Sequence, residues 1–415
     1  MTGFCNWSEN HAFRATEVVR PTSVDAVRRA VVASPRIHAA GARHAFNDGA
    51  DSPGVMIDLG DIPAEFVIDN DRSTVTAGAA CTYGALALRL EAAGWALANM
   101  ASLAHITLAG AVSTGTHGSG DAIGTLSSAV AGLDLVTATG DLLQLRRGDP
   151  DFDGMVVGLG ALGVVVRVLL DIVPSYRLRQ DAFEGLAWPD TAAEFDRVMG
   201  AGKSVSLFTT WSSATVDRWW IKTRIDAGAP DVPPIPARAA PALLPFLGAP
   251  ADRLRRLTAF GVAGPWSDRL PHGRIEFEQM RHLQSEILVP RARVIAAIEV
   301  LRGIGARIDQ QLIVTEIRSM AADALWLSPA QGRETVGIHF SWHEREPAAV
   351  GALCREIEDL LIPIGGRPHW GKILHAPAVR LAPLYPHMDD FRRLATSYDP
   401  RGKFRNGFLD RHVFG

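Results

Sequence analysis

The sequence predicts a two-domain α+β protein, and three observations support that prediction. Its 415 residues exceed what a single ordinary core accommodates. Strand and helix patterns alternate over the first 175 residues, and a mixed succession of strands and helices follows Pro174. Prolines are then frequent in residues 225–250, which indicates a long connecting segment outside the hydrophobic core. We therefore predict a first domain over 1–175, a second over 176–375, and a return of 376–415 to the first.

The first domain begins with a strand–helix–strand pattern. Glu17–Val19 is extended, Thr22 is the predicted cap of a helix, and Arg36–Ala40 returns as a strand. Polar turn residues between two apolar runs, Val130–Ala138 and Asp141–Leu145, predict a hairpin. Three further elements follow the same logic, two strands and a helix that Gly94 ends: Val55–Leu59, Thr74–Ala79 and Tyr83–Ala93.

The segment Gly158-Leu-Gly-Ala-Leu-Gly163 matches the letters of a dinucleotide fingerprint. That fingerprint requires a helix immediately after the glycines. The residues that follow, Val164–Val173, are largely β-branched and predict a strand instead. We therefore do not interpret this segment as a Rossmann motif.

The second domain contains longer strand and helix patterns. The predicted strands are Ser204–Trp211, Arg218–Arg224, Leu312–Arg318 and Val336–His343. Helices are predicted at Pro290–Gly303 and Pro347–Leu361. This mixture indicates an α+β domain.

Composition excludes several classes of function. The formal net charge is -3 and no long basic run occurs, so neither nucleic acid nor an anionic membrane is an expected partner. The three cysteines, Cys5, Cys81 and Cys354, have no metal-binding spacing and fit a reducing compartment. We find no signal-peptide pattern and no apolar run of about 20 residues. The sequence therefore predicts a soluble cytoplasmic protein.

The turn Gly41–Asn47 places His44 in a glycine-led segment directly after a strand. Such a turn can direct successive backbone N–H groups at one point, which creates a concave anion site. A histidine there would contact whatever carries the anion. The alternative is a surface turn in which the histidine has no role.

A second loop, Gly110–Gly120, contains several glycines and hydroxyl side chains. This composition favours a backbone that approaches a bulky ligand closely and donates hydrogen bonds to it. Apolar flanks at Ile106, Leu108 and Val112 argue for burial and against a flexible linker. We interpret the loop as part of a ligand site in which His117 braces the backbone.

Strand periodicity reveals a third group of residues. Glu316 and Arg318 are two residues apart and share one face, while Ile313 and Ile317 lie on the other. His339, Ser341 and His343 alternate in the same way, and apolar neighbours suggest that these polar groups need a partner or ligand. An exposed sheet face and a zinc site made by His339 and His343 are the alternatives.

Lys372 follows His369-Trp370-Gly371 in an aromatic, glycine-containing segment. A lysine in such a setting either faces an anionic ligand or forms a structural ion pair. Spacing alone leaves both interpretations open.

Together these segments resemble the vanillyl-alcohol-oxidase (PCMH-type) FAD-binding fold and, within it, the alditol (xylitol) oxidase family. The resemblance covers nearly the whole chain. Its motifs are Asn6-Trp7, the His44 turn, 99–106, Ser113–Gly120, Gly158–Gly163, Gly264–Trp266, Leu325–Pro329 and His369–Lys372.

The resemblance implies an FAD cofactor bonded covalently through its C8 methyl group to His44. It also implies that residues 40–46 and 113–119 surround the pyrophosphate and the isoalloxazine ring system. The residues it assigns to the cofactor besides His44 are Ala40, Gly41, Ala42, Arg43, Ala45, Phe46, Ser102, Ser113, Thr114, Gly115, Thr116, His117, Gly118, Ser119, Gly163 and Val164.

The resemblance further implies an enzyme that oxidises a polyol CH–OH to a carbonyl by hydride transfer to flavin N5. Oxygen then reoxidises the flavin and yields hydrogen peroxide. The matching substrate-pocket residues are Ser102, Glu316, Arg318, His339 and Lys372, the last four also catalytic. A polyol and O₂ are thus the expected partners of a monomer that holds no metal. Alternatives are a sugar-1,4-lactone oxidase or dehydrogenase of this fold and a non-catalytic carbohydrate-binding relative.

Four positions depart from the sequence pattern of the family or of the wider fold. Arg43 and Ala45 flank the histidine where glycine and serine often occur in the wider fold. We expect Arg43 either to reshape the turn or to help neutralise the pyrophosphate. Ala104 replaces a proline and His375 replaces a smaller residue, which predicts a shifted substrate preference.

Overall fold

The computed structural model describes residues 4–225, 237–240, 257–275, 281–343 and 347–415. Within these ranges the strands β1 to β19, in chain order, are Glu17–Val19, Ile37–Ala39, Val55–Ile57, Phe66–Asp69, Thr74–Gly78, Trp95–Ala96, Val130–Val136, Leu142–Arg146, Val164–Asp171, Val173–Pro174, Arg177–Glu184, Ser204–Thr209, Arg218–Arg224, Arg238–Ala239, Gly264–Pro265, Leu283–Pro290, Leu312–Met320, Thr335–Trp342 and Arg367–Pro368.

The α-helices of the same ranges are mostly short. They are Val24–Ala33, Tyr83–Ala92, Leu108–Ser113, Phe152–Val156, Trp188–Ala193, Phe195–Met199, Trp266–Arg269, Val294–Gly303, Gly305–Asp309, Pro347–Leu361, Ala378–Leu381, Met388–Tyr398 and Gly407–Leu409. None of the helices in the described part of the chain is long and apolar enough to cross a membrane.

Three sheets lie in the described part of the chain before residue 175, the smallest of which pairs β6 with β10. A parallel sheet of order β1-β3-β2 leads directly into the His44 turn. An antiparallel sheet of order β4-β5-β9-β7-β8 stands beside it. Strand β9 alternates buried and half-buried residues along its length, as expected when one sheet face packs on a core. The prediction of a strand after Gly163, and hence the rejection of a Rossmann motif, is confirmed.

A nine-stranded sheet dominates residues 177–368. Its order is β14-β11-β13-β12-β17-β18-β16-β19, with β15 paired to β11. One face packs against the helices Val294–Gly303 and Pro347–Leu361 in an apolar core. The other face lines a large cavity. Because both faces are covered, strands β12, β16 and β18 are buried almost throughout.

A β-bulge interrupts strand β17. Its register against β18 skips Ile313, which lies between Leu312 and Val314. Leu312 and Ile317 belong to the core beneath the helices, whereas Ile313 lines the cavity. The prediction that Ile313 and Ile317 share a face is therefore wrong, because the extra residue reverses the alternation. Glu316 lies beyond the bulge and faces the cavity as predicted.

The C-terminal segment packs against the parallel sheet. Ile37 donates its N–H to the Lys403 carbonyl at 3.0 Å, and His38 Nδ1 contacts the Phe404 carbonyl at 2.9 Å. Phe404 is fully buried in the small core around that sheet. The predicted division into residues 1–175 with 376–415 and residues 176–375 stays a prediction.

Most predicted helices and strands are confirmed to within a few residues. Besides the face of Ile313, the predicted cap of the first helix and the predicted backbone of one loop are wrong. Ser23, not Thr22, caps the first helix, because its side chain accepts the Ala26 N–H at 3.2 Å. Residues Leu108–Ser113 form a short helix where we expected an irregular loop. Most of the proline-rich segment 225–250 lies outside the described residues.

Candidate active site

A cavity of about 920 Å³ lies between the His44 turn, the 101–117 segment and the face of strands β16 to β18. The residues predicted to bind cofactor or substrate that line it are Ala40, Gly41, Ala42, Arg43, His44, Ala45, Ser102, Ser113, Thr114, Thr116, His117, Gly163, Glu316, Arg318, His339 and Lys372. The remaining five do not line the cavity: Phe46, Gly115, Gly118, Ser119 and Val164.

The His44 turn is held from outside by the N-terminal segment. The Asn6 side chain donates to the Ala45 carbonyl at 2.8 Å, and the Trp7 N–H donates to the Arg43 carbonyl at 2.8 Å. The Trp7 ring stacks on the His44 imidazole with centroids 4.2 Å apart. These contacts fix the direction in which the imidazole points.

His44 is a neutral imidazole at ordinary pH. Burial, followed by the nearby His105, Lys372 and His282, lowers the pKa of His44 to about 2. A ring nitrogen of His105 contacts Nε2 of His44. One nitrogen of that pair must carry the proton and the other must accept it. The turn therefore presents an uncharged imidazole with a fixed hydrogen-bond partner.

Three polar side chains form a row across neighbouring strands. Glu286 on β16 lies opposite His339 on β18, and His339 lies opposite Glu316 on β17. All three are buried and line the cavity. Because residues opposite one another in a sheet share a face, the row presents two carboxylates and an imidazole side by side.

Arg318 connects the two carboxylates of this row. Its Nη2 lies 3.1 Å from Glu286 Oε1 and its Nε lies 3.6 Å from Glu316 Oε2. Its Nη1 donates to Ser102 Oγ at 3.2 Å. Burial opposes ionisation of Glu286, but His117 and Arg318 outweigh it and hold the pKa of that carboxyl well below its usual range.

Lys372 and His339 complete the wall of the cavity. Lys372 Nζ donates to the Gln284 side chain and lies 5.0 Å from the centroid of the Phe46 ring. Burial is the main cause that lowers the pKa of Lys372 to about 8, so the lysine remains a cation at neutral pH. Burial and the Lys372 charge hold the pKa of His339 well below its usual range. His339 is therefore a neutral acceptor beside a cation.

Comparison with known proteins places this geometry in a family. An FAD binding domain model matches residues 15–146, and a D-arabinono-1,4-lactone oxidase model matches residues 275–412. Alditol oxidase from a Streptomyces species is 41% identical over 98% of both chains. The chain belongs to the alditol oxidase family. Its cofactor is FAD.

More distant relatives also match over nearly the whole chain. L-gulono-1,4-lactone dehydrogenase from Mycobacterium tuberculosis is 28% identical over 99% of this chain and 98% of its own. Cholesterol oxidase from B. sterolicum has a TM-score of 0.81 at 17% identity, covering 99% of this chain and 96% of that one. The last comparison shows a shared fold, and the predicted vanillyl-alcohol-oxidase-type architecture is confirmed.

The cavity suits the cofactor of the alditol oxidase family. A Cβ added to Gly41 would lie 2.2 Å from Thr107 Oγ1, so only glycine permits this close approach. Thr107 Oγ1 is itself buried and has no hydrogen-bond partner among the described residues. A buried hydroxyl beside a glycine-rich turn suits a ligand rich in hydrogen-bond acceptors, such as a dinucleotide.

The departures from the family pattern have different structural outcomes. Arg43 adopts a left-handed backbone with φ of 57°, so the turn keeps a conformation that glycine favours. Its guanidinium carbon lies 4.6 Å from the centroid of the Phe4 ring. Neutralisation of the pyrophosphate by Arg43 stays a prediction. Ala104 and His375 do not line the cavity, which gives no support to their predicted effect on substrate preference.

Within the described residues, one buried cluster has the donor atoms of a metal site. It comprises His117, Glu286 and His369, whose ligand atoms lie within 4.8 Å of one another. The guanidinium of Arg318 already occupies the Glu286 oxygen that faces His117. A metal cation there would be repelled by that guanidinium. The alternative zinc pair of His339 and His343 is not part of the cluster.

Sequence reasoning missed Glu286 and His272. Glu286 lies in Leu283–Pro290, where Gln284 and Glu286 are two residues apart and Leu283 and Ile287 lie on the other face, so the periodicity that revealed Glu316 also applies to it. His272 follows Pro271 outside any regular element and carries no periodic signal. Its imidazole contacts Glu316 and lines the cavity.

We expect Glu286→Gln to destabilise the protein by about 3 kcal/mol, because it removes a buried charge partner of Arg318. Urea unfolding measures the loss. Glu65→Gln is the matched control, because Glu65 pairs with Arg167 at a partly exposed site and should cost less than about 1 kcal/mol. Because the pKa of Glu286 is lowered in the folded state, its ionised form stabilises the fold above about pH 4.3. This stabilisation is lost as the pH falls further. Equal losses in the two variants would contradict a special role for Glu286.

Proposed function

We propose that this protein is an FAD-dependent polyol oxidase. A CH–OH group of an alditol such as xylitol, sorbitol or glycerol loses a hydride and a proton and becomes a carbonyl. The FAD held by the His44 turn and the loop that begins at Ser113 would supply the hydride acceptor, and O₂ would take up the two electrons and two protons to give H₂O₂. The observation that carries the proposal is the wall formed by the buried Glu316, Arg318 and His339 and the half-buried Lys372 in the cavity that begins at His44.

Glu316 and Arg318 are the proposed hydroxyl-binding pair. The carboxylate accepts hydrogen bonds and the guanidinium donates them, which suits vicinal hydroxyl groups that do both. Their separation of 3.6 Å allows them to bind neighbouring oxygens of one substrate. Holding two oxygens would fix the position of the carbon that is oxidised. Ser102, which receives a hydrogen bond from Arg318, belongs to the same proposed site.

Lys372 and His339 are the proposed catalytic groups. The half-buried ammonium of Lys372, which lines the cavity, would stabilise negative charge that develops during reduction. His339 is neutral at the working pH and can accept the hydroxyl proton without first losing one. The ammonium and the imidazole thus respond to the two charges that the reaction creates.

The proposed cofactor site comprises the His44 turn and the loop that begins at Ser113. A neutral imidazole at His44 is a nucleophile and could replace one hydrogen of the C8 methyl group; the flavin would take up the two electrons and two protons released, and O₂ would then accept them as H₂O₂. Acid precipitation tests this bond. We expect the yellow colour to stay with the precipitated protein; colour that moves to the supernatant would contradict covalent attachment.

A substrate panel tests the activity. We expect peroxide release with xylitol, sorbitol or glycerol, and none when the enzyme or the polyol is omitted. Reduction of an artificial acceptor without peroxide would instead indicate a dehydrogenase. A colourless protein that takes up no FAD would indicate a non-catalytic carbohydrate-binding protein.

A sugar-1,4-lactone oxidase or dehydrogenase is the second candidate. It is favoured by the lactone oxidase family model over residues 275–412 and by the relative from Mycobacterium tuberculosis. The same panel separates the two functions if it includes L-gulono-1,4-lactone and D-arabinono-1,4-lactone. Higher kcat/KM with a lactone than with every alditol would replace our first proposal.

We also propose that the enzyme acts as a cytoplasmic monomer without a metal or macromolecular partner. The net charge of -3 argues against a nucleic-acid or anionic-membrane partner, and the three free cysteines fit a reducing compartment. Light scattering during gel filtration and fractionation of the source cells test its two parts. A dimer mass or recovery outside the cytoplasm would contradict the corresponding part.

A further inference from the structure

A chain of buried polar groups leads away from Glu316 into the protein. His272 Nε2 lies 2.6 Å from Glu316 Oε1. On the other side of the ring, Lys222 Nζ lies 3.1 Å from His272 Nδ1. Lys222 also donates to the carbonyls of Leu270 and Pro271, the latter at 3.3 Å. Lys222, His272 and Glu316 therefore form a continuous hydrogen-bonded chain, which we call the lysine–histidine relay.

The donors in this chain fix the state of the imidazole. An ammonium has three N–H donors and no acceptor, so His272 Nδ1 must accept from Lys222. In a neutral imidazole the other nitrogen then carries the proton, and Nε2–H donates to Glu316. Burial is the main cause that lowers the pKa of His272, which agrees with a neutral ring. The ammonium of Lys222, which only donates, and the carboxylate of Glu316, which only accepts, thus require the same tautomer of His272.

The position of Lys222 is costly for the fold. Its side chain is 2% exposed on strand β13. Among the described residues no carboxylate forms an ion pair with it, and its hydrogen-bond partners are neutral. A buried charge without a countercharge is unfavourable unless it contributes elsewhere. The nearest acidic group along the chain of contacts is Glu316, reached through His272.

We propose that Lys222 and His272 are positioning residues that set the hydrogen-bonding state of Glu316 for substrate binding. This inference rests on the proposed polyol oxidation. With Oε1 held by the imidazole, Glu316 keeps Oε2 directed towards Arg318 and a substrate hydroxyl. The backbone N–H of His272 donates to the Ser102 carbonyl at 3.3 Å, so the same residue braces both sides of the substrate site.

The relay predicts a specific pH dependence. Burial lowers the pKa of Lys222 to about 7; Glu316 raises it, and Arg318 and Arg269 lower it further. Above that pH the amine keeps two donors, which the carbonyls of Leu270 and Pro271 can occupy. The imidazole still donates to the ionised Glu316, but the positive charge that polarises its N–H is lost, so its hydrogen bond to the carboxylate weakens. We therefore expect kcat/KM for a polyol to fall as the pH rises through about 7.

Variants of His272 test the positioning role. We expect His272→Leu to lower kcat/KM for the best alditol by about 10- to 100-fold, because a hydrogen bond to a charged group is lost. His272→Gln supplies an amide donor near the position of Nε2 and should recover most of the loss. Thr258→Val is the matched control, because it removes a bond to the Pro271 carbonyl and leaves the charges unchanged. Thr258→Val should remain within twofold of the native enzyme.

Lys222→Met tests the pH dependence separately. We expect the decline near pH 7 to disappear, which leaves a decline near pH 8 from Lys372. A loss in Thr258→Val equal to that in His272→Leu, no recovery in His272→Gln, or an unchanged pH profile in Lys222→Met would overturn the inference. If the native enzyme itself neither reduces its FAD nor releases peroxide with any alditol, the proposed function fails instead.

Discussion

Replacement of Lys372 by methionine should slow reduction of the flavin by a polyol by about 10³-fold while FAD remains bound. Methionine keeps the approximate length of the side chain and removes the cation, which lies half-buried beside Phe46 and Gln284. Negative charge created during reduction then lacks its nearest fixed cation. Anaerobic stopped-flow measurement of the flavin absorbance gives the rate directly, without any contribution from oxygen.

Lys203→Met is a matched control for this experiment. Lys203 also lies over an aromatic ring, 4.9 Å from the centroid of Tyr176, but it does not line the cavity. We expect its rate to remain within twofold of the native rate. If Lys372→Met were equally fast, the ammonium would have no part in the chemical step. If it lost FAD altogether, Lys372 would belong to cofactor binding instead.

Replacement of His44 by alanine should abolish acid-stable flavin completely. The imidazole is the proposed attachment point, and alanine offers no nucleophile. Precipitation with acid followed by absorbance of the pellet and supernatant measures the bound fraction. Because the pKa of His44 is about 2, the native imidazole is unprotonated throughout the neutral range, and attachment should not depend on pH there.

His343→Ala provides the comparison for His44→Ala. His343 follows strand β18 directly and lines the same cavity. Its pellet should stay yellow. Acid-stable flavin in His44→Ala would place the covalent bond on another side chain, and His105, which contacts His44, would be the next residue to replace.

The periodicity of strands made part of the site predictable. Glu316 and Arg318 lie two residues apart in an apolar run, and alternation alone places them on one face. The face on which Ile313 lies could not be predicted in this way. A bulge depends on how β17 pairs with β18, and the sequence of a single strand does not reveal that pairing. Alternation is therefore dependable only within an uninterrupted register.

Residues brought together by long-range packing could not be predicted in this way. Lys222 lies within a strand that the sequence predicted, but its partner His272 is 50 residues away in an irregular segment. Nothing local to either residue indicates that they meet. The fold class was predictable because the resemblance spans the chain, whereas the relay depends on tertiary contacts that are specific to this cavity.

The contact between the C-terminal segment and the parallel sheet has a consequence for biogenesis. Strand β2, which leads into the His44 turn, is the edge of its sheet, and the Lys403 carbonyl accepts the Ile37 N–H at that edge. The Asn406 side chain donates to the carbonyls of Gly49 and Asp51 at 2.9 Å. Chains emerge from the ribosome N-terminus first, so this edge stays unpaired until residues 403–406 leave the exit tunnel. We therefore expect the His44 turn to gain its full support, and to hold the cofactor stably, only after residues 403–406 have emerged.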